Sequence, residues 1–467
     1  MIVKKIERRS KLSYLDHTVG AYVRRNVVFP FYWKYIKHAK VLQYYKQLQK
    51  HQWATREEIS NIQRKRLHVL IRYASQNIPY YKKVIEENNL KFSEDTMFTD
   101  IKEFPLLTKD IIRKNFHQLY KFRDNTYYKN ASGGSTGEPI LLYQDADYFA
   151  WNTATKILFD EWAGRKIGER MVTMFGALQG LIKIGQRFKL YFRQQLSGVT
   201  ILKTSKITEK DKYQYVQRIN RIKPSIILAY NHELTHFIQK HHLSIYSPKG
   251  VMTTSSVLFP EVQKRIEEVF QAPVFNRYGS REVGDMACNC RKNIGLHIVP
   301  DVHYLEILDN NGKDAKPGET GNIVITLLSN YTMPLIRYKI GDVGILSDKN
   351  CPCECEWPLL EKVVGRISGR FKNKFGNFIT AGLFYSLFYF KENIRQFQII
   401  QETTDLILIN LVLTEKNSLK DMVKFFEESN QKICKGMGHQ VTIKYNIVDE
   451  IKPSPSGKYM HVFSKVV

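Results

Sequence analysis

Five short segments carry residues suited to chemistry on a phosphate- or carboxylate-bearing substrate. The first is Ser132-Gly133-Gly134-Ser135-Thr136-Gly137-Glu138-Pro139. Its glycines allow a tight turn with successive N–H groups exposed, and its hydroxyls add donors, which suits polyphosphate oxygens. No Gly-Lys-Ser/Thr follows, so it is not a Walker loop; taken alone it also reads as a plain turn. The second, Tyr278-Gly279-Ser280-Arg281-Glu282, offers one carboxylate. The third runs from Arg337 to Asp342 and ends Gly341-Asp342. An Asp after Gly at a strand end can accept hydrogen bonds from ribose hydroxyls, or simply close an Asx turn. The fourth is Gly365-Arg366. The fifth, Pro455-Ser456-Gly457-Lys458, places a lysine on a turn near the C-terminus.

A separate constellation suggests a metal. Cys288 and Cys290 precede His297, and Cys351, Cys353 and Cys355 follow, so five of the six cysteines fall in two short clusters. C-x-C pairs with a distant Cys/His pair suit tetrahedral zinc. Free thiols or a redox use are the other readings. Six cysteines in 467 residues are no disulfide scaffold.

The elements that must position these residues show in the apolar pattern. Residues 55–90 read as helical, with the NIPYY stretch ending the helix. The glycine-rich turn near 133 is flanked by strands. Helix-like stretches such as YQYVQRINRI then alternate with short apolar strands such as SIILAY, which argues for an α/β sheet. Residues 302–345 are β-rich. After the Gly- and base-rich connector GRISGRFKNKFGN, a β-β-α-β run begins near 396, with a turn at Thr404 and Asp405.

Charge sets the remaining bounds. The chain carries a formal +26, and residues 1–50 alone hold twelve Lys/Arg against two Asp/Glu, with nine aromatic rings. Such a stretch suits a helical arm packed on the body, an anionic membrane surface, or nucleic acid. No zinc-finger, basic-zipper or RNA-recognition signature accompanies it, so nucleic acid is not expected as a partner. No apolar run is long enough to span a bilayer and the N-terminus lacks a secretory signal. A cytoplasmic protein is therefore expected, with peripheral contact at the inner membrane face through residues 1–50 as an added hypothesis.

In order and spacing, the five segments together resemble the adenylate-forming (acyl-AMP) superfamily. Within it they are most similar to the phenylacetate–CoA ligase branch, which includes capsule-biosynthesis (CapK-like) proteins. The resemblance runs from the PYY segment to Lys458. It implies an α/β fold, with a large N-terminal adenylate-forming domain joined by a hinge to a small α+β C-terminal domain. The expected division is 1–90, a basic and aromatic helical arm of the large domain; 91–366, its ATP- and acid-binding core; and 367–467, a mobile domain carrying the catalytic lysine.

The resemblance also implies roles. Ser132, Ser135, Thr136 and Gly137 would hold the ATP phosphates, and Glu282 would bind Mg²⁺. Tyr278 and Gly279 would lie beside the adenine and the acyl pocket, Asp342 would hold the ribose, and Arg366 would contact the ribose–phosphate side. Lys458 would bridge the attacking carboxylate and the α-phosphate. The substrates would be ATP, a carboxylic acid and a thiol, with CoA as the usual acceptor. Phe175 and Ser255 mark candidate pocket-lining segments. The branch places Cys and His at similar points, which implies Cys290, His297, Cys351 and Cys353 as zinc ligands, with Cys288 and Cys355 in reserve. CapK-like members suggest a role in surface polysaccharide synthesis.

Four positions depart from the family pattern: Ser368 and Gly369 where hinge acids are usual, Glu138 where many members have Lys, Val257 where an acid is common, and His461 near a usual Arg. Two alternatives follow from the departures and the charge: a relative that binds nucleotide without turnover, and a basic membrane-surface-binding protein on this scaffold.

Overall fold

The computed structural model describes residues 19–36, 40–123, 126–132, 139–175, 194–203, 208–229, 232–254, 257–366, 370–379, 382–388, 391, 393–414, 422–451 and 461–466. Ser135, Thr136, Gly137, Glu138, Ser255, Ser368, Gly369 and Lys458 lie outside these residues, and the side chains of Phe175 and Arg366 are likewise not described.

A hairpin of β1 (Tyr127–Ala131) and β2 (Leu141–Asp145) flanks the Ser/Gly loop. The large sheet has eleven strands. Its parallel half comprises β3 (Met171–Phe175), β4 (Val199–Lys203), β5 (Ile226–Ala229), β6 (Gly250–Thr254) and β7 (Val274–Ser280). Its antiparallel half comprises β8 (Gly284–Asn289), β9 (Leu296–Ile298), β10 (His303–Leu308), β11 (Thr320–Leu327), β12 (Tyr338–Ser347) and β13 (Leu359–Arg366). The spatial order is β10-β11-β12-β13-β9-β8-β7-β6-β5-β3-β4.

The parallel strands are apolar on both faces because helices cover both. Ile226, Leu228, Met252 and Phe275 face the main core, which includes Leu67, Leu70 and Ile71 of the Arg56–Asn77 helix. Ile227, Ala229, Val251 and Val274 face a second core under the Glu209–Ile222 and Pro260–Phe270 helices. The Arg56–Asn77 helix starts at a Thr55–Glu58 capping box. The NIPYY stretch does end it at Ile78, but Pro79 also occupies the first turn of a new helix, Pro79–Glu87. Proline cannot continue a helix, yet its fixed φ suits a helix start.

β13 ends at Arg366, and the strands beyond it form separate sheets. β14 (Phe371–Lys372) pairs with β15 (Phe378–Ile379). β16 (Ile394–Thr403) and β17 (Leu406–Leu413) form the hairpin expected around Thr404 and Asp405. β18 (Thr442–Ile447) adds parallel to β17, and β19 (Val462–Ser464) adds parallel to β16. The Val423–Met437 helix covers this sheet with Ile433 and Met437, closing a core that also holds Ile399, Ile407 and Phe384. Large and small parts thus each have their own sheet and core. Among the described residues, no helix is long and apolar enough to cross a membrane.

Candidate functional site

The Ser/Gly loop springs from a closed base. The Ser132 N–H donates to the Ile140 carbonyl at 3.0 Å, and the Ile140 N–H donates back to Ser132 Oγ at 2.9 Å. Ser132 is therefore buried at the root of the loop, a locking position rather than an exposed donor.

The same hairpin grips the segment carrying Glu282. Asn130 Nδ2 and Gln144 Nε2 each donate to the Arg281 carbonyl at 3.0 Å, and Gln144 Nε2 lies 3.3 Å from the Glu282 carbonyl. Asn130 also donates to Gln144 Oε1 at 3.1 Å. Asp145, at the end of β2, accepts from the backbone N–H groups of Tyr148, Tyr331 and Thr332. It caps the Ala146–Trp162 helix and fastens the hairpin to the segment before β12. The hairpin and the backbone that carries Glu282 are thus tied together by side chains that the motifs do not contain.

Glu282 follows β7, where Ser280 Oγ accepts from the N–H groups of Glu282 and Val283 at 3.2 and 3.4 Å. The residue is 3 % exposed. Its carboxylate has no hydrogen-bond partner among the described residues. Gly279 permits the close pairing of β7 and β8, since a Cβ there would lie 2.7 Å from the Gly284 carbonyl oxygen.

Three strands converge on Asp342. Tyr278 Oη donates to Asp342 Oδ2 at 2.8 Å, a hydrogen bond to a charged acceptor of the stronger kind. Asp342 stands opposite Arg366 in the β12–β13 register. A Cβ on Gly365 would lie 3.7 Å from Val257, which places the end of β13 beside the segment following β6. The expectation that Asp342 closes a strand needs correction. It lies inside β12, where Gly341 at φ +88° accompanies an irregular register with β11. The left-handed glycine breaks the strand alternation without ending the strand. Arg337 of the same motif plays a structural part. It is buried and forks onto both carboxylate oxygens of Glu306, at 3.2 and 2.9 Å, and donates to the Phe104 carbonyl at 2.7 Å.

His303 lies behind this wall. It is fully buried, and its Nε2 is 2.8 Å from the Val283 carbonyl. Burial holds its imidazole down to about 4, outweighing the hydrogen bond to Val283, which favours the charged form. The ring is therefore neutral at pH 7 and donates to Val283. In the unfolded chain it titrates near 6.5. Its contribution to stability is complete above that value and is lost as pH falls towards 4. His461 is lowered in the same direction by burial, so the informative quantity is a difference between proteins. The thermal midpoint of His303→Gln should fall less steeply than that of the parent between pH 6.5 and 5. Equal slopes would remove His303 as the cause.

The cysteine clusters meet at the other side of the sheet. β9 pairs with β8 through Cys288–His297 and with β13 through His297–Leu359, bringing the 290–295 and 348–358 loops together. Cys290 Sγ lies 3.5 Å from Cys351 Sγ, and Cys353 Sγ lies 3.4 Å from His297 Nε2. The four donor atoms all lie within 4.8 Å of one another. A tetrahedral zinc with bonds of about 2.0–2.3 Å needs donors roughly 3.5–3.8 Å apart. Three thiols and an imidazole at this spacing fit such an ion. Cys288 and Cys355 are buried but are not among these four donors.

Comparison with known proteins bears on the chain as a whole. Residues 371–465 match the CapK C-terminal domain family. The chain is 23% identical over 414 residues to Protein CapK of Staphylococcus aureus, covering 86% of this chain and 88% of that one. It is 25% identical over 329 residues to the phenylacetate-coenzyme A ligase of Thermus thermophilus, covering 67% and 71% of the two chains. Over most of its length the chain is thus similar to CapK and to phenylacetate–CoA ligases, the branch its five segments resemble. The fold is shared with 2-hydroxyisobutyryl-CoA ligase in its postadenylation state, at a TM-score of 0.66 and 18% identity over 88% of this chain and 91% of that one.

Mg²⁺ is general to adenylate-forming enzymes, and Glu282 fits as its holder: the carboxylate is nearly buried, lacks a partner among the described residues, and adjoins the hairpin of the Ser/Gly loop. Sequence reasoning missed Asn130, Gln144, Asp145 and Glu306. Each is a common polar residue whose partner lies 137 to 187 positions away for the hairpin and 31 for Glu306. No local spacing signals such partners.

Proposed function

We propose that this protein is an AMP-forming acid–thiol ligase. In the first step a carboxylate oxygen attacks the α-phosphorus of ATP, the bond to the β-phosphate breaks, and pyrophosphate leaves. In the second, a thiol attacks the acyl carbon and AMP leaves. CoA is the default acceptor, as in the relatives' names. The observation that carries this reading is the meeting of Tyr278 and the Arg366 backbone at Asp342, with the backbone just before Glu282 held by the hairpin that flanks the Ser/Gly loop.

Asp342 is suited to accept from both ribose hydroxyls, oriented by Tyr278. Arg366 lies at the strand position facing Asp342 and would meet the ribose–phosphate side. The Ser135–Gly137 backbone and hydroxyls would surround the leaving phosphates. Mg²⁺ on Glu282 would offset phosphate charge when bound. Lys458 would neutralise the approach of two anions and stabilise charge on the α-phosphoryl group. The Cys290, His297, Cys351 and Cys353 cluster would hold zinc as a structural ion, away from the reacting groups. The CapK-like resemblance supports a place in surface polysaccharide synthesis, where the acyl group would pass to a sugar or amine.

ATP–pyrophosphate exchange across aryl, aliphatic and amino acids tests this directly. One acid should stimulate exchange, and Lys458→Ala should lower that exchange by roughly 10²-fold or more. If every acid leaves exchange at background while ATP still binds, the adenylation reading fails.

A further inference from the structure

The helical segment at residues 19–36 rests one face on the large domain and leaves the other uncovered among the described residues. The inner face is pinned by named contacts. Arg24 Nε donates to the Gly168 carbonyl at 2.6 Å, and Arg25 Nε donates to the Ile167 carbonyl at 2.9 Å. Trp33 is buried, with Phe29 stacked on it at 5.1 Å. Gly168, at φ +88°, admits this approach, because a Cβ there would sit 2.4 Å from the Ala21 carbonyl oxygen.

The outer face carries Val19, Val23, Val27, Phe31 and Tyr35, each four residues on, with Tyr22 beside them. All six are exposed, Tyr22 by 66%, Val27 by 59% and Phe31 by 56%. The stripe is straight for a geometric reason. Wide π turns over Arg24–Val28 and Tyr32–Ile36 alternate with α turns, so the winding averages about four residues per turn. Single exposed apolar residues are ordinary; a continuous stripe on a helix already anchored by its other face is a surface awaiting a partner.

Charge says which partner. Residues 19–50 hold seven Lys/Arg and no Asp/Glu, and residues 1–18 add five Lys/Arg against two acids. Beside the anchored face opens a cleft of about 510 Å³. Its described lining includes Arg24, Arg170, Arg218 and Arg221 together with glutamines, and no carboxylate. Guanidinium groups are well matched to phosphate oxygens. An apolar stripe on the outer face of a helix whose inner face borders an arginine-lined cleft matches the layering of a bilayer interface, acyl boundary outermost and headgroup phosphate behind it.

We propose that this face docks on an anionic membrane, the stripe entering the acyl boundary and the cleft taking a lipid phosphate. The proposal stands independently of the acid-activation reading. The test is co-sedimentation of the full chain with vesicles of phosphatidylcholine alone or mixed with phosphatidylglycerol. The parent should partition at least roughly tenfold more strongly onto the anionic vesicles, and less as salt rises. Val27→Glu with Phe31→Glu should reduce partitioning by about tenfold or more, and Arg218→Gln with Arg221→Gln by roughly tenfold. These side chains are exposed, so unchanged thermal midpoints should accompany the losses. Hydrogen exchange on the unaltered protein should show protection of residues 19–36 on anionic vesicles alone. Equal binding to both vesicle types, unaltered binding of the stripe variant, or full displacement by millimolar inorganic phosphate would overturn the proposal; the last would assign the cleft to a free phosphate instead.

Discussion

Replacing Cys290 with serine is expected to leave the purified protein without zinc and to lower its thermal midpoint by roughly 10 °C. The expectation rests on what the four donors do to one another without a cation. Burial pushes the Cys290 thiol up, but hydrogen bonds from His297, the Lys292 N–H and the neighbouring thiols outweigh it and bring it to about 6. Burial and the Cys290 charge then push Cys351 up to about 12, and Cys353 is raised mainly by burial. The bare cluster thus accommodates one thiolate. Holding three requires a positive ion, and binding it contributes to folding because the unfolded chain has no such arrangement. Metal analysis should find one zinc per parent chain, and a strong chelator should reproduce the variant's lower midpoint until zinc is restored. A parent that carries no zinc, or a variant that melts with it, would reduce the cluster to ordinary buried side chains. Exchange activity measured well below the midpoint should survive, since no reacting group lies in the cluster.

The second large effect concerns Glu282. Glu282→Gln should lower acid-stimulated exchange by about 10²–10³-fold while leaving the thermal midpoint nearly unchanged. The substitution keeps the shape and removes the charge. The carboxylate makes no hydrogen bond among the described residues that the amide would break, and Asn130 and Gln144 hold only backbone carbonyls of this segment. Asp342→Asn should differ in kind, raising the KM for ATP about tenfold with a smaller change in kcat, because ribose contacts serve ground and transition states alike. Were Glu282→Gln to retain more than a third of the parent exchange, the ion would have to be held elsewhere.

What was legible in the sequence was whatever had local grammar. The β16–β17 hairpin declared itself through two alternating apolar runs around Thr404 and Asp405, and the parallel strands through short runs such as SIILAY between amphipathic helices. The grouping of Cys290, His297, Cys351 and Cys353 was legible because cysteine is rare enough for its spacing to speak. Asp342 was singled out, but its setting was not: Gly341 suggested a strand end, whereas an extended partner strand on each side carries the chain straight through the irregularity. Likewise proline at 79 was readable as a stop and also served as a start. The braces of the site were invisible for a different reason. Asn130 and Gln144, and Asp145 beyond its local capping of the helix that follows it, acquire their role at the site only when residues far along the chain fold against them. β19 was missed because three residues have no period, and its place is set by the vacant edge of β16.

The strand order of the large sheet bears on how the molecule is made. β9, near the middle of the sheet, lies between β8, which precedes it by a few residues, and β13, which ends at Arg366. The Cys/His cluster repeats the pattern, with Cys290 and Cys351 separated by 61 positions. During synthesis from the N-terminus, the parallel half has all its strands once Ser280 has left the ribosome. Once β9 is made, its exposed edge and the half-built Cys/His cluster must wait for the next sixty or so residues, several seconds at ordinary elongation rates of about 5–20 residues per second. That interval is when an unpaired edge is open to other chains, so zinc supply and translation speed over residues 290–366 should govern how much of the protein reaches its folded form.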